Sequence, residues 1–377
     1  MALINKLSAI GDAIREKTGK EDLLTLDQMP EEIRGISGGG GEEIEPIVLT
    51  GNCSYFGTGP LSSKFIELFG DKITTNNLTF LSNMFNNYKS INIPFELNMN
   101  NESYSPCMSL FEGAEKLETL PIMNDFYPEN IARMFYGCTR LRTIPENVFN
   151  NWNYNRLHNY SYAGIGYIFY YCFSLRNIPE NFLKNIYTSG KSASNSLLNY
   201  GFCGCYCLDE IRGINFNPNV NITSNVCSRA FNGCSRVKDI IFDCNEDGSP
   251  KIINVKQQII DLTIYVGYAD VSSYILNYNS GITADKEVKD DATYQALKND
   301  PDWFSTNINY SRYNHDSAVN TINSLPDTSA YLATAGGTNT IKFNGEAGSK
   351  TDGGAINTLT EEEIAVATNK GWTITFV

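Results

Sequence analysis

"MFYGCTRLRTIP", residues 134–145, opens on an apolar pair, Met134-Phe135, and places a cysteine three residues after the phenylalanine, a leucine six after and an isoleucine nine after. The phrase recurs. With Phe135 as anchor, the equivalent residues are Phe85, Phe111, Phe169, Phe202 and Phe231. Three residues on stand Cys138, Cys172, Cys205 and Cys234, with Tyr88 and Ala114 in the weaker copies. Six on stand Ile91, Leu117, Leu141, Leu175, Leu208 and Val237. Nine on stand Leu120, Ile144, Ile178, Ile211 and Ile240, and a proline closes three copies at Pro121, Pro145 and Pro179. The anchors lie roughly 24–34 residues apart, a period that signals a solenoid whose variable segments go to loops. One unit cannot bury these side chains alone. Stacking puts Phe on Phe, Cys on Cys and Leu on Leu in rows, each buried Leu or Phe being worth about 1.5–3 kcal/mol.

The rest of the chain is read around that array. Its 377 residues, 42% apolar, are ample for a folded core. A net charge of -13 and a pI near 4.7, with lysines and arginines scattered, argue against a nucleic-acid groove, which needs clustered cations. No run of about 20 apolar residues is present, so no membrane insertion is expected. The opening "MALINKLSAIGDAIREKTG" lacks the continuous apolar stretch of a secretion signal, which predicts folding in a cytoplasm with thiols reduced. The row cysteines then read as small buried hydrophobes. "CGCYC" at 203–207 invites a metal reading, but a zinc site draws four ligands from paired motifs, and His158 and His315 are the only histidines. Neither a metal nor any other cofactor is expected.

Five segments follow. Residues 1–36 form a helical anchor or oligomerisation segment: Leu3, Leu7, Ile10 and Ile14 line one helix face, and Leu26, Met29, Ile33 and Ile36 a second. Such faces need a partner or another copy of the chain. Residues 37–43, "SGGGGEE", are a flexible linker. Residues 44–245 are the solenoid, its first part, 44–80, reading as an N-terminal cap with a strand at "IVLTG" and a helix around 62–69. Residues 246–314 are an irregular α/β segment continuing it. Residues 315–377 hold a second repeat of helix, Gly turn and strand, in which Ile322 matches Ile356, Leu325 matches Leu359, Ile341 matches Ile374 and Phe343 matches Phe376. The expected fold class is an α/β repeat, an irregular leucine-rich-repeat solenoid preceded by a small helical anchor.

"MFYGCTRLRTIPENVF" and "AFNGCSRVKDIIF" resemble leucine-rich repeats of the BspA type. "AIGDAIREKTGKEDLLTLDQMPEEIRGI" resembles the helical opening of bacteriophage virion and tail proteins, and the final segment is similar to the closing repeats of phage proteins that carry such leucine-rich repeats. The resemblance implies a virion component assembled in a bacterial cytoplasm: a tail-fibre or tail-tip appendage, homo-oligomeric (a trimer being one form), in contact with other virion proteins and with a host surface glycan or protein. It carries over no catalytic residue.

No phosphate-binding loop, dinucleotide fingerprint or zinc-protease motif is present. "HDS" at 315–317 has the residue types of a hydrolase triad, but adjacent residues cannot take up triad geometry, and a capping role for Asp316 or Ser317 is the better reading. Carboxylates are plentiful and no pair stands out as a glycosidase pair. No enzymatic activity is expected. The candidate binding residues are aromatic instead. Trp152, Tyr154, Tyr160, Tyr162, Tyr167, Tyr187 and Tyr200 fall between the phrases, among Asn and Ser, a composition resembling an antibody paratope. The competing readings have them simply cover the solenoid flanks as plain surface, or bury at a subunit interface. At the level of function, the alternatives are a scaffold or decoration protein without a receptor, a bacterial surface adhesin and a glycan depolymerase.

Overall fold

A computed structural model describes residues 11–12, 14–16, 46–100, 106–128, 130–151, 166–179, 182, 200–205, 207–214, 230–231, 234, 237–249, 251, 261–264, 313–336, 339–343 and 358–376. Of the expected anchor, residues 11–12 and 14–16 are helical and Ile14 is buried. Leu3, Leu7, Ile10, Leu26, Met29, Ile33, Ile36 and the linker lie outside the described residues, as does Ile356.

Each phrase is a chain of overlapping turns rather than a helix. In the Phe85 copy, the Met84, Asn86 and Tyr88 N–H groups donate back to Leu81, Asn83 and Phe85 carbonyls. The alternate N–H groups, of Asn83, Phe85 and Asn87, donate forward to Met108, Leu110 and Glu112 of the next phrase at 3.0, 2.8 and 2.7 Å. Half the donors close the coil on itself and half tie it to its neighbour, which leaves few buried backbone donors to be satisfied elsewhere. The forward bonds form one ladder through the anchors: Phe111 N–H to Met134, Phe135 to Ile168, Phe169 to Gly201 and Phe202 to Ala230.

The coils stack as their spacing predicts. Successive anchor rings lie parallel, Phe85–Phe111 and Phe111–Phe135 at 5.6 Å, Phe135–Phe169 at 5.5 Å, Phe169–Phe202 at 5.6 Å and Phe202–Phe231 at 5.8 Å. The rows of Leu117, Leu141, Leu175, Leu208 and Val237, and of Cys138, Cys172, Cys205 and Cys234, are fully buried. Each of these thiols donates to the anchor carbonyl of the coil before, Cys138 to Phe111, Cys172 to Phe135, Cys205 to Phe169 and Cys234 to Phe202, at 3.0–3.1 Å. Ile91 departs from its expected row: it is 55% exposed, and Ile93 turns inward instead.

Short parallel strands complete the coils. β1 (Ile47–Asn52) pairs with β2 (Ile73–Phe80), β3 (Leu97–Asn98) with β4 (Met123–Asn124), and a bridge from Leu78 to Met99 joins the two pairs. Farther along, β5 (Glu210–Ile214) pairs with β6 (Asp239–Phe242), Ile211 opposite Ile240. The result is a stack of parallel coils resembling a β-solenoid.

The stack begins earlier than the phrases suggest. Between β1 and helix α1 (Gly59–Phe69), residues 53–59 repeat the turn pattern with glycine as anchor: Gly57 N–H donates to Met84 O at 2.6 Å, and Tyr55 and Gly59 share the positive φ of Asn83 and Asn87. A Cβ on Gly57 would stand 2.4 Å from the Phe85 ring, so the first member of the ring row has to be a glycine. The segment expected to be only a cap is a coil closed by a helix.

At the other end, α2 (His315–Ser324) packs on β6, α3 (Ser329–Ala335) leads to β8 (Asn339–Phe343), and α4 (Glu361–Asn369) leads to β9 (Trp372–Phe376). β8 pairs in parallel with β9 and with β7 (Asp261–Ile264), the one part of the predicted "IIDLTIYVG" strand among the described residues. Ile341 faces Ile374 and Phe343 faces Phe376, the pairing the second sequence repeat predicts. One core cluster runs from Ile47 to Trp372.

Candidate functional site

The backbone that stacks the coils also sets out a surface. At the anchors from Phe85 to Phe202 the residues two before and two after take positive φ, and the N–H groups of Asn83, Asn87, Ser109, Gly113, Arg133, Gly137 and Tyr171 among them donate to the next coil. The row two before the anchors reads Tyr55, Asn83, Ser109, Arg133, Tyr167 and Tyr200. Tyr55 and Arg133 are exposed, Asn83, Tyr167 and Tyr200 half-buried, and Ser109 buried. The row one after the anchors holds Glu112, Tyr136 and Tyr170. The two rows lie side by side, with Tyr136–Tyr167, Tyr167–Tyr170 and Tyr170–Tyr200 ring centres 6.5, 5.5 and 5.8 Å apart.

Within each row the tyrosines stack along the solenoid. Tyr136 and Tyr170 are 5.0 Å apart and Tyr167 and Tyr200 5.1 Å. Arg133 pairs with Glu112 of the preceding coil and sets its guanidinium 4.6 Å from the centre of the Tyr136 ring. Tyr171, from the row two after the anchors, packs 4.0 Å from Tyr170. A Cβ on Gly204, one coil on, would meet the Tyr171 ring at 2.6 Å, so glycine there makes room for the tyrosine. Burial raises the pKa of the Tyr136 phenol, with Arg133 opposing, and raises that of Tyr170 further, helped by its hydrogen bond to Tyr171. These phenols are neutral near pH 7, so each hydroxyl can both donate and accept.

Tyrosine is a costly choice at these backbone angles. Tyr55, Tyr167, Tyr171 and Tyr200 have φ of 63, 58, 61 and 53°. Bulky residues seldom adopt that region, at a cost of about 1–2 kcal/mol each. Glycine takes the position equivalent to Tyr171 at Gly113, Gly137 and Gly204, while the row of Tyr167 and Tyr200 is filled in other coils by Asn83, Ser109 and Arg133. Of the tyrosines and tryptophan offered as binding residues, Tyr167 and Tyr200 stack on one another, and Trp152, Tyr154, Tyr160, Tyr162 and Tyr187 lie outside the described residues. Sequence reasoning missed Arg133, which stands just before a phrase in the register of Tyr167 and Tyr200, and Tyr136, Tyr170 and Tyr171, which fall inside the phrases. Their signal was register: counted from the anchors, they occupy the outward positions.

The other candidates resolve differently. Cys203, Cys205 and Cys207 are buried thiols, and among the described residues no group of three or more His, Cys, Asp or Glu is placed to hold a metal. Asn314, not Asp316 or Ser317, caps α2: its side chain accepts the Ser317 N–H at 3.0 Å. The Ser317 hydroxyl bonds Asn314, while His315 Nε2 lies 3.1 Å from Glu363 of α4, so the triad residue types are spent on holding two helices together. Among the described residues no helix is long and apolar enough to cross a membrane. Set against models of known families, curated proteins and solved structures, the chain matches none.

Proposed function

We propose that this chain is a non-enzymatic virion appendage protein of a bacteriophage, a tail-fibre or tail-tip element whose solenoid, of BspA-like leucine-rich-repeat type, is held out to bind the host cell surface. The row of Tyr55, Asn83, Arg133, Tyr167 and Tyr200 carries the reading: it combines the residue types of a paratope on a backbone whose Asn83 and Arg133 N–H groups donate into the next coil. The resemblance of both ends of the sequence to phage virion proteins, and the glycine linker between the helical segment and the solenoid, support an anchor-and-display arrangement. Other virion proteins and further copies of the chain are the expected partners of the helical segment. The test is a pull-down of whole bacterial cells with the full-length protein, beside its docking onto particles that lack it. Saturable cell binding is expected. Docking without cell binding would replace this reading with that of a structural component.

One observation favours that structural reading. β9 pairs with β8 along one edge and has no partner along the other among the described residues; Phe376 on it is 40% exposed. An open edge of this kind accepts a strand from another chain.

A further inference from the structure

We propose that the tyrosine rows on the Phe135, Phe169 and Phe202 coils bind an uncharged carbohydrate chain laid along the solenoid axis. The inference rests on the host-surface reading above and names the ligand class for it. Four observations carry it. The first is period. Tyr136 to Tyr170 and Tyr167 to Tyr200 repeat at 5.0 and 5.1 Å, close to the step of the anchor rings beneath them. A polymer of repeating units can make the same contact on successive coils, whereas a protein surface offers such a period only where it is itself a sheet or a solenoid.

The second is chemistry. Stacked phenol rings cover one another's faces, and the half-buried rings of Tyr136, Tyr167, Tyr170 and Tyr200 keep part of their surface accessible. A sugar offers the complement, C–H patches between hydroxyls that donate and accept. Tyr136 and Tyr170 stay protonated because burial disfavours the phenolate, so both can match either role. The third is charge. Arg133 is the cation of the described ridge and is already paired with Glu112, which leaves the strip close to neutral and gives an anionic polymer little to hold. The fourth is rigidity. Rings already stacked on one another at 5.0 and 5.1 Å lose little freedom on binding.

The experiment uses the full-length protein and envelopes from a panel of bacteria, either oxidised with periodate or digested with protease, together with an array of neutral and acidic oligosaccharides. The variant Tyr167→Asn/Tyr200→Asn removes two rings and supplies the residue that already serves this row at Asn83. Tyr136→Phe/Tyr170→Phe keeps the stack and removes only hydroxyls. Binding is expected to survive protease and be lost after periodate, to appear on neutral rather than acidic sugars, and to weaken about tenfold or more in each variant at unchanged melting temperature. Binding that survives periodate and is lost to protease would overturn the carbohydrate assignment while leaving the host-surface reading intact. Full binding by both folded variants would overturn the ridge as its location. No binding to any envelope would remove the host-surface reading, and this inference with it.

Discussion

The residue that does most for this fold is the anchor phenylalanine. Phe135 is fully buried, with parallel rings on both sides at 5.6 and 5.5 Å. Phe135→Ala removes a ring the stack cannot close over and should cost about 3–5 kcal/mol in urea unfolding; a loss below about 1 kcal/mol would show that the row is not load-sharing. The cysteines below it do more than fill space. Their thiols donate to anchor carbonyls, weak bonds that a methyl group could not make. Burial raises the pKa of Cys138, Cys172, Cys205 and Cys234 above the ordinary thiol value. Iodoacetamide at pH 8 should therefore leave all four unmodified in the folded protein and label them on unfolding, as read by peptide mass spectrometry; labelling of the native state would put the row at the surface. The sequence made the apolar character of these positions legible through their spacing. It did not make the hydrogen-bonding role legible, because that depends on which carbonyl the next coil brings within reach. Gly57 was hidden for a related reason. An anchor search looks for a large apolar residue, and the first coil has no room for one. Gly57→Val should lower the melting temperature strongly, since its side chain would meet the buried Phe85 ring.

At the scale of elements, the closing helix–strand units show how pairing follows from repetition. The sequence offset that matched Ile341 to Ile374 became strand register, because two copies of one unit stacked in parallel place like residues side by side. The cap of α2 was legible only as residue types: Asn, His, Asp and Ser all suit a helix start, and Asn314 won because its side chain reaches the Ser317 N–H. The contact between α2 and α4 was not legible at all, as His315 and Glu363 are 48 residues apart. That contact sets a pH dependence. Burial pushes the His315 pKa down, but the Asp316 and Glu363 carboxylates outweigh it and raise it above the ordinary value. The Thr360 N–H, followed by the Thr360 hydroxyl and His315, outweighs burial to lower Glu363. The histidine's contribution is full below about pH 6.5 and is lost as pH rises through its raised pKa. The glutamate's is full above about pH 4.3 and is lost as pH falls through its depressed one. Protection factors at the β9 amides, with intrinsic exchange divided out, should be highest between those limits and lower at pH 8, and His315→Ala should abolish the alkaline change. Equal protection at pH 5.5 and pH 8 in the parent protein would argue against the bridge.

Across the whole molecule, one ladder of backbone hydrogen bonds and one row of rings run from coil to coil, and the proposed binding face is their outward consequence. The stack was readable from spacing alone, since a recurring phrase that cannot bury its own side chains has to pack on its copies. The face was not, because Tyr136 and Tyr170 look like ordinary phrase residues until the turn geometry fixes which positions point out. Everything at this scale depends on the coils stacking in sequence order and in register. The most direct test is a pair of double-mutant cycles on unfolding free energy. Phe135→Leu with Phe169→Leu changes two rings 5.5 Å apart, although 34 residues separate them, and should show a coupling of about 0.5–1.5 kcal/mol. Phe85→Leu with Phe169→Leu changes rings separated by the Phe111 and Phe135 coils and should show a coupling near zero. No coupling in the first cycle, or equal coupling in both, would contradict the ordered stack and the tyrosine face built on it.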